Sequence, residues 1–193
     1  MRSLYLAGSI YVAFSGFVVL MASQPSSPLV ASHASVAVVP YDGPAGTWFS
    51  AVKPYCNALE AESRLRAAPP PAGRDGAGYR AACLALAGKM DAARTTIREL
   101  PRGDRAYAAW IVFNVGHPVA DAGDDVSAGP IMRLVVEFWP ENYMARYHAG
   151  IAEYGVGEYE RAEEHLQEFL EMYDVEDGFR RNAITVLQRL QRN

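Results

Sequence analysis

The stretch YHAGIAEYGVGEYERAEEHLQEFLEMY, residues 147–173, contains small and large residues in an order that occurs twice more upstream. Matching positions are separated by 35 and then 34 residues, and they are Gly88, Gly123 and Gly157; Ala93, Ala128 and Ala162; Ile97, Met132 and Leu166; and Leu100, Val135 and Phe169. Ala162, Leu166 and Phe169 share one face of a helix. A period of this length predicts a chain built from repeated helical units.

The pattern resembles the tetratricopeptide repeat (TPR), a pair of antiparallel helices of about 34 residues. In that family small residues, here Ala81 and Gly150, stand where helices cross, and the turn glycine is left-handed. The resemblance implies an all-α fold, a short right-handed α-solenoid. The expected units are about 75–104, 105–141 and 142–175, followed by a cap helix at 178–191.

The middle unit departs from the pattern because Pro118 interrupts its first helix. A proline inside a helix removes one hydrogen bond and clashes with the preceding turn. We therefore predict a helix from Arg105 to about Val115, an enlarged loop over 116–125, and a second helix from about Ser127 to Phe138.

The predicted domain, 47–193, begins with a helix over 47–66 that has a possible kink at Pro54. Apolar residues recur on one stripe of this segment, which would pack as a leading helix ahead of the first unit. At the other end, residues 178–190 place apolar side chains on one face and polar ones on the other, as a terminal cap requires.

The first forty residues form a separate segment, since no Asp, Glu, Lys or Arg occurs between Arg2 and Asp42. Residues 4–22, LYLAGSIYVAFSGFVVLMA, would form a helix about 28 Å long, close to the thickness of a bilayer. An uncleaved anchor and a signal peptide cut near residues 32–34 are both compatible with this segment. Residues 23–46, rich in Pro, Ser and Ala, predict a disordered linker.

Both interpretations place the domain outside the cytoplasm, either anchored in the cytoplasmic membrane or secreted after cleavage. With 18 basic and 22 acidic residues, the net charge of −4 argues against nucleic-acid binding. The two cysteines exclude a four-cysteine zinc site. No catalytic motif is evident, so we expect neither an enzyme nor a cofactor.

The predicted loop of the middle unit contains the candidate ligands for a divalent cation, which are His117, Asp121, Asp124 and Asp125. Their spacing lacks the regular ligand pattern and the terminal glutamate of calcium-binding loops. An aspartate-rich turn that caps the following helix is the interpretation we favour, so no metal is expected here.

Cys56 and Cys83 are a candidate disulfide. Export to an oxidising compartment would permit the bond, and antiparallel helices joined near residue 71 would bring the two residues to similar heights. The alternative is that both are small buried residues at helix contacts.

The resemblance also implies a concave groove lined by residues of the first helix of each unit. The matching positions here are Met144, Tyr147, Ile151 and Tyr154, and Tyr107, Trp110 and Asn114 of the divergent unit. Such an apolar groove suits an extended or helical peptide segment. The alternative for each residue is a place in the core.

We therefore expect an adaptor or assembly factor that binds another protein and is tethered to the membrane through residues 4–22. A fixed structural subunit of a membrane protein complex is the alternative from a different class. A metal-binding or enzymatic protein built on residues 117–125 is the third hypothesis.

Overall fold

The structure is a computed structural model, and it describes residues 43–192. The predicted membrane segment at 4–22 and most of the predicted linker lie outside these residues. Among the helices that are described, none combines the length and the apolar character needed to cross a bilayer.

All regular structure between residues 43 and 192 is helical, which confirms the all-α fold class. The elements are α1 (Gly43–Val52), a 3-10 turn (Lys53–Tyr55), α2 (Ala61–Ala67), α3 (Arg74–Leu86), α4 (Met90–Arg98), α5 (Arg102–Asp121), α6 (Asp125–Phe138), α7 (Tyr143–Val156), α8 (Tyr159–Met172) and α9 (Gly178–Leu190). Helices α3 and α4, α5 and α6, and α7 and α8 pack as sequential pairs. The pairs are joined by contacts of α3 with α5 and of α6 with α7, and α9 covers α7 and α8.

The turn inside each pair contains a glycine with a positive φ. Gly88, Gly123 and Gly157 have φ values of 73°, 88° and 83°. Side chains with a Cβ rarely adopt this conformation, so glycine ends the first helix and lets the chain reverse. The left-handed turn glycines that the resemblance implies are therefore confirmed.

The predicted interruption of the middle unit at Pro118 is wrong, because α5 continues through this residue to Asp121. Pro118 lacks only the N–H that would have bonded the carbonyl of Asn114. Burial of His117 and Ala120 holds the last turn in helical form. The loop shrinks to Ala122–Asp124, and α6 begins at Asp125 instead of Ser127.

The leading helix predicted over 47–66 is also wrong in its bounds. Helix α1, Gly43–Val52, includes residues of the predicted linker and buries Phe49 and Val52. Pro54 lies in the 3-10 turn that follows α1, and an irregular segment precedes α2. Pro54 cannot donate a backbone hydrogen bond to a further turn of α1, and the chain passes into the 3-10 turn here.

A glycine occupies the point of closest approach at four successive helix crossings. The pairs are Gly78 with Ile111, Gly116 with Ile131, Gly129 with Ala152, and Gly150 with Leu166. A Cβ added to Gly129 would lie only 2.4 Å from the Cβ of Ala152. These crossings join α3 to α5, α5 to α6, α6 to α7 and α7 to α8.

A disulfide between Cys56 and Cys83 ties the segment after α1 to α3, with the two Cα atoms 4.9 Å apart. Both residues are buried. The indole of Trp48 adds a second tie by donating a hydrogen bond to the carbonyl of Ala68, 3.0 Å away. The N-terminal helices are thus held to the first helix pair by a covalent bond and by a long-range hydrogen bond.

A fully buried carboxylate lies between α6 and α8. Glu153 of α7 is 0% exposed, and its Oε2 accepts a hydrogen bond from Nδ1 of His165 at 2.6 Å. Among the described residues its Oε1 has no hydrogen-bond partner, and the guanidinium of Arg133 lies 3.7 Å away. A buried charge is tolerated only with partners of opposite sign or hydrogen-bond donors, so this group helps to fix α7 between its neighbours.

Replacing both Cys56 and Cys83 by Ala is expected to lower the free energy of unfolding by about 3 kcal/mol, because the unfolded chain regains the freedom of the closed loop. Denaturant unfolding followed by circular dichroism measures the loss. Reduction of the wild-type chain should produce the same loss. Two free thiols titrated in the oxidised wild type would contradict the bond.

Glu153→Gln is expected to lower the free energy of unfolding by about 2 kcal/mol, since the hydrogen bond to His165 loses its charge. Glu164→Gln, on the exposed face of α8, is the control and should change stability by less than about 0.5 kcal/mol. Equal effects of the two substitutions in the same unfolding measurement would show that the buried carboxylate has no such role.

Candidate functional site

Two buried histidines from different helices meet at the C-terminal end of α5. His117 and His148 are 4% and 2% exposed, and their Nε2 atoms are 3.2 Å apart. His117 lies one turn before the end of α5, and His148 lies in the second turn of α7. The continuation of α5 through Pro118 is what places His117 in a helix facing α7.

Each ring also contacts a carboxylate through its other nitrogen. Nδ1 of His148 donates to Oδ1 of Asp125, 2.7 Å away in the first turn of α6. Nδ1 of His117 lies 3.3 Å from Oδ2 of Asp121, one turn further along α5. Asp121 also approaches Nε2 of His148 to 3.9 Å. The four side chains form a cluster, the histidine pair with its two carboxylates, that joins α5, α6 and α7.

The surroundings of the pair are aromatic. The ring of Phe113 stacks on His117 with centroids 4.5 Å apart, and Tyr147 and Phe179 approach His148 edge-on. Burial, together with the charge that His148 would carry when protonated, lowers the pKa of His117 from 6.5 to about 4, and the two carboxylates offset only part of this effect. His117 is therefore a neutral imidazole at neutral pH, the form that ligates metals.

His117, Asp121 and His148 present donor atoms that all lie within 4.8 Å of one another. Of the four candidate ligands named from the sequence, the structure brings together His117, Asp121 and Asp125, and it adds His148 to them. Asp124 is separate, since its Oδ1 accepts from the backbone N–H of Ser127 at 3.1 Å and caps α6. The favoured interpretation as a helix cap applies to Asp124 alone.

The repeat spacing itself indicates that His148 lies near His117. Counting 34 residues back from His148 gives Asn114, which precedes His117 by three positions on one face of α5. The prediction that α5 ends near Val115 hid this relation, because it placed His117 in a loop.

The predicted groove residues divide into two groups. Met144 and Tyr147 are buried, and the hydroxyl of Tyr147 accepts a hydrogen bond from Asn182 of α9 at 2.8 Å. The rings of Phe169 and Phe179 also lie against Tyr147. Both residues belong to the core, Tyr147 beneath α9, so they are not part of an accessible surface.

The remaining groove candidates are half-buried. On α5, the rings of Tyr107 and Trp110 stack 5.3 Å apart, and the amide of Asn114 donates to the carbonyl of Trp110 at 2.7 Å. On α7, Ile151 and Tyr154 lie three residues apart and share a face. Each of these five side chains keeps part of its surface accessible.

An exposed apolar patch continues from Tyr154 around the turn into α8. Its members, which we call the turn patch, are Val126, Tyr154, Val156 and Tyr159. The rings of Tyr154 and Tyr159 are 5.9 Å apart, and Val126 lies beside Gly155. Val126 is 56% and Tyr159 51% exposed. The sequence did not predict this patch, because Tyr159 precedes Ala162 by one turn on the side of α8 that also carries Leu166 and Phe169, which are buried.

An open groove of about 1210 Å³ lies on α2, α3 and α4. Basic and acidic side chains alternate around it, namely Arg66, Arg74, Arg80, Glu62, Asp91, Glu99 and Asp104. This mixture favours no single charge of ligand, so the groove indicates no particular ligand class.

Comparisons of the chain with protein-family models, with curated proteins and with solved structures find no match. The resemblance to the TPR therefore rests on the repeated positions themselves.

Proposed function

We propose that this chain is an extracytoplasmic, membrane-tethered helical-repeat protein that binds another protein and has no catalysis of its own. The observation that carries the proposal is the turn patch, an accessible apolar surface on a well-packed helical domain. Exposed large apolar side chains that lie close together on a folded domain favour a site of interaction with other molecules.

In this proposal α3 to α8 form a short right-handed α-solenoid of the TPR kind. Three sequential helix pairs, a fixed repeat spacing and a left-handed glycine in each turn support it. The two junctions between units differ. Helix α3 contacts α5 at the first junction, and α6 contacts α7 at the second. The scaffold alone indicates a binding module and does not specify the partner.

The chemistry of the patch defines the partner segment that we propose. Tyr154 and Tyr159 supply two aromatic rings, and aromatic side chains dominate the energetics of protein interfaces. Glu158 and Glu160 flank Tyr159 at the surface, beside Arg161. An extended or helical segment with apolar residues between basic ones would complement this surface.

The disulfide supports the extracytoplasmic location that we propose. The disulfide between Cys56 and Cys83 is a bond that persists in oxidising compartments. The apolar segment at 4–22 would then serve as the tether, with the domain on the extracytoplasmic side.

The test is an affinity capture of the full-length chain from mildly solubilised membranes of cells that make it. Val126→Ser/Tyr159→Ser should reduce the captured partner by at least about tenfold, because loss of an interface hot spot costs about 2 kcal/mol or more. The control is Met172→Ser/Val175→Ser, which removes apolar side chains of similar exposure outside the patch. Equal melting temperatures establish that both variants are folded.

A partner retained by the control and lost by the patch variant supports the proposal. A partner retained by both at a constant ratio would contradict it, and would favour the alternative of a fixed structural subunit held through residues 4–22. Equal loss in both variants would also contradict a specific role of the patch.

A further inference from the structure

The histidine pair contains a contact that hydrogen bonding between neutral rings does not explain. A neutral imidazole has one N–H and one bare nitrogen. Nδ1 of His148 faces Asp125 at 2.7 Å, so a neutral His148 ring holds its proton there and leaves Nε2 bare. In the same way, Nδ1 of His117 faces Asp121 at 3.3 Å. Two bare Nε2 atoms then point at each other across 3.2 Å.

Placing the proton of His117 on Nε2 does not remove the conflict. That tautomer would donate to His148, but it would turn a bare Nδ1 toward the carboxylate of Asp121, so that two acceptors meet there. Either arrangement leaves one pair of electron-rich atoms in contact. A cation between the two Nε2 atoms relieves this contact: either a proton, which makes one ring an imidazolium, or a metal ion bound to both rings.

The spacing of the donor atoms matches a transition-metal site. Two nitrogen ligands held at about 2.0–2.1 Å in a tetrahedron lie about 3.3 Å apart, and the Nε2 atoms of His117 and His148 are 3.2 Å apart. Asp121 supplies a third donor, since its Oδ1 lies 3.9 Å from Nε2 of His148. Its side chain is 48% exposed at the end of α5, so it has room to close on an ion.

The donor set favours one class of ion. Two imidazoles with one carboxylate suit zinc and its neighbours, whereas calcium and magnesium prefer oxygen ligands. Asp125 completes the pattern, since a carboxylate that accepts the other N–H of a metal-bound histidine fixes its ring and its tautomer. The exposed Asp121 gives the ion a path from solvent.

We propose that His117, Asp121 and His148 bind one divalent transition-metal ion of the zinc class, with Asp125 orienting His148. The ion links α5 to α7 and leaves a fourth position for water. The site uses side chains outside the turn patch and does not depend on the proposed protein-binding function.

Isothermal titration of zinc chloride into the metal-free full-length chain tests the site, with cobalt(II) absorption as the readout of coordination. We expect one ion per chain. Asp121→Asn should weaken zinc binding by at least about tenfold. Asp124→Asn is the matched control, because it removes the same charge from the same segment and keeps a capping side chain. It should change the affinity by no more than about twofold.

His117→Gln and His148→Gln should abolish the cobalt absorption band and the rise of melting temperature that zinc produces in the wild type. If these variants fail to fold, the pair of aspartate variants still decides the question, since both positions are at the surface. The proposal is overturned if the wild type does not bind zinc. It is equally overturned if Asp124→Asn weakens binding as much as Asp121→Asn, or if the folded histidine variants bind like the wild type.

Discussion

The arrangement of α3 to α8 depends on how closely the helices approach one another at their crossings. At four crossings a glycine faces a side chain that leaves no room for a Cβ, and the tightest is Gly129 against Ala152. Close-packed interiors do not absorb an added carbon without displacement of the backbone or of a neighbouring side chain. These glycines therefore set the distances between helices, while the left-handed glycines of the turns only reverse the chain.

The close approach of α6 and α7 has chemical consequences. It brings Asp125 to His148 on one side of α7 and Arg133 to Glu153 on the other. Polar groups buried away from water are stable only with hydrogen-bond or ion-pair partners. The ionisable groups of α7 therefore need the neighbouring helices in fixed positions. The same packing holds His148 against His117 of α5. In our account the proposed metal site is a result of the helix crossings, and the turn patch is the surface that these crossings leave uncovered.

The repeat period predicted much of this from the sequence. It located the turns at Gly88, Gly123 and Gly157 and the helical character of the domain, because small residues and left-handed glycines have direct steric causes. The effect of Pro118 was not predictable from local rules, since tertiary burial of the last turn of α5 outweighs the loss of one hydrogen bond. The burial of Tyr147 depends on where α9 docks, which no local pattern specifies. Predicting the histidine pair requires the correct C-terminal end of α5. Because that boundary was predicted wrongly, the pair could not be identified from the sequence.

The measurement that tests the role of the crossings most directly is the stability of two glycine-to-alanine variants. Alanine is the better helix former, by about 1 kcal/mol in a helix interior and by less in a first turn. At Gly103, in the first turn of α5, a Cβ would meet no atom within 4 Å, so the substitution should raise stability slightly. At Gly129 the same substitution places the Cβ against Ala152, and the free energy of unfolding should fall by about 2 kcal/mol. If Gly129→Ala were as stabilising as Gly103→Ala in denaturant unfolding, the claim that glycine contacts set the helix spacing would be wrong.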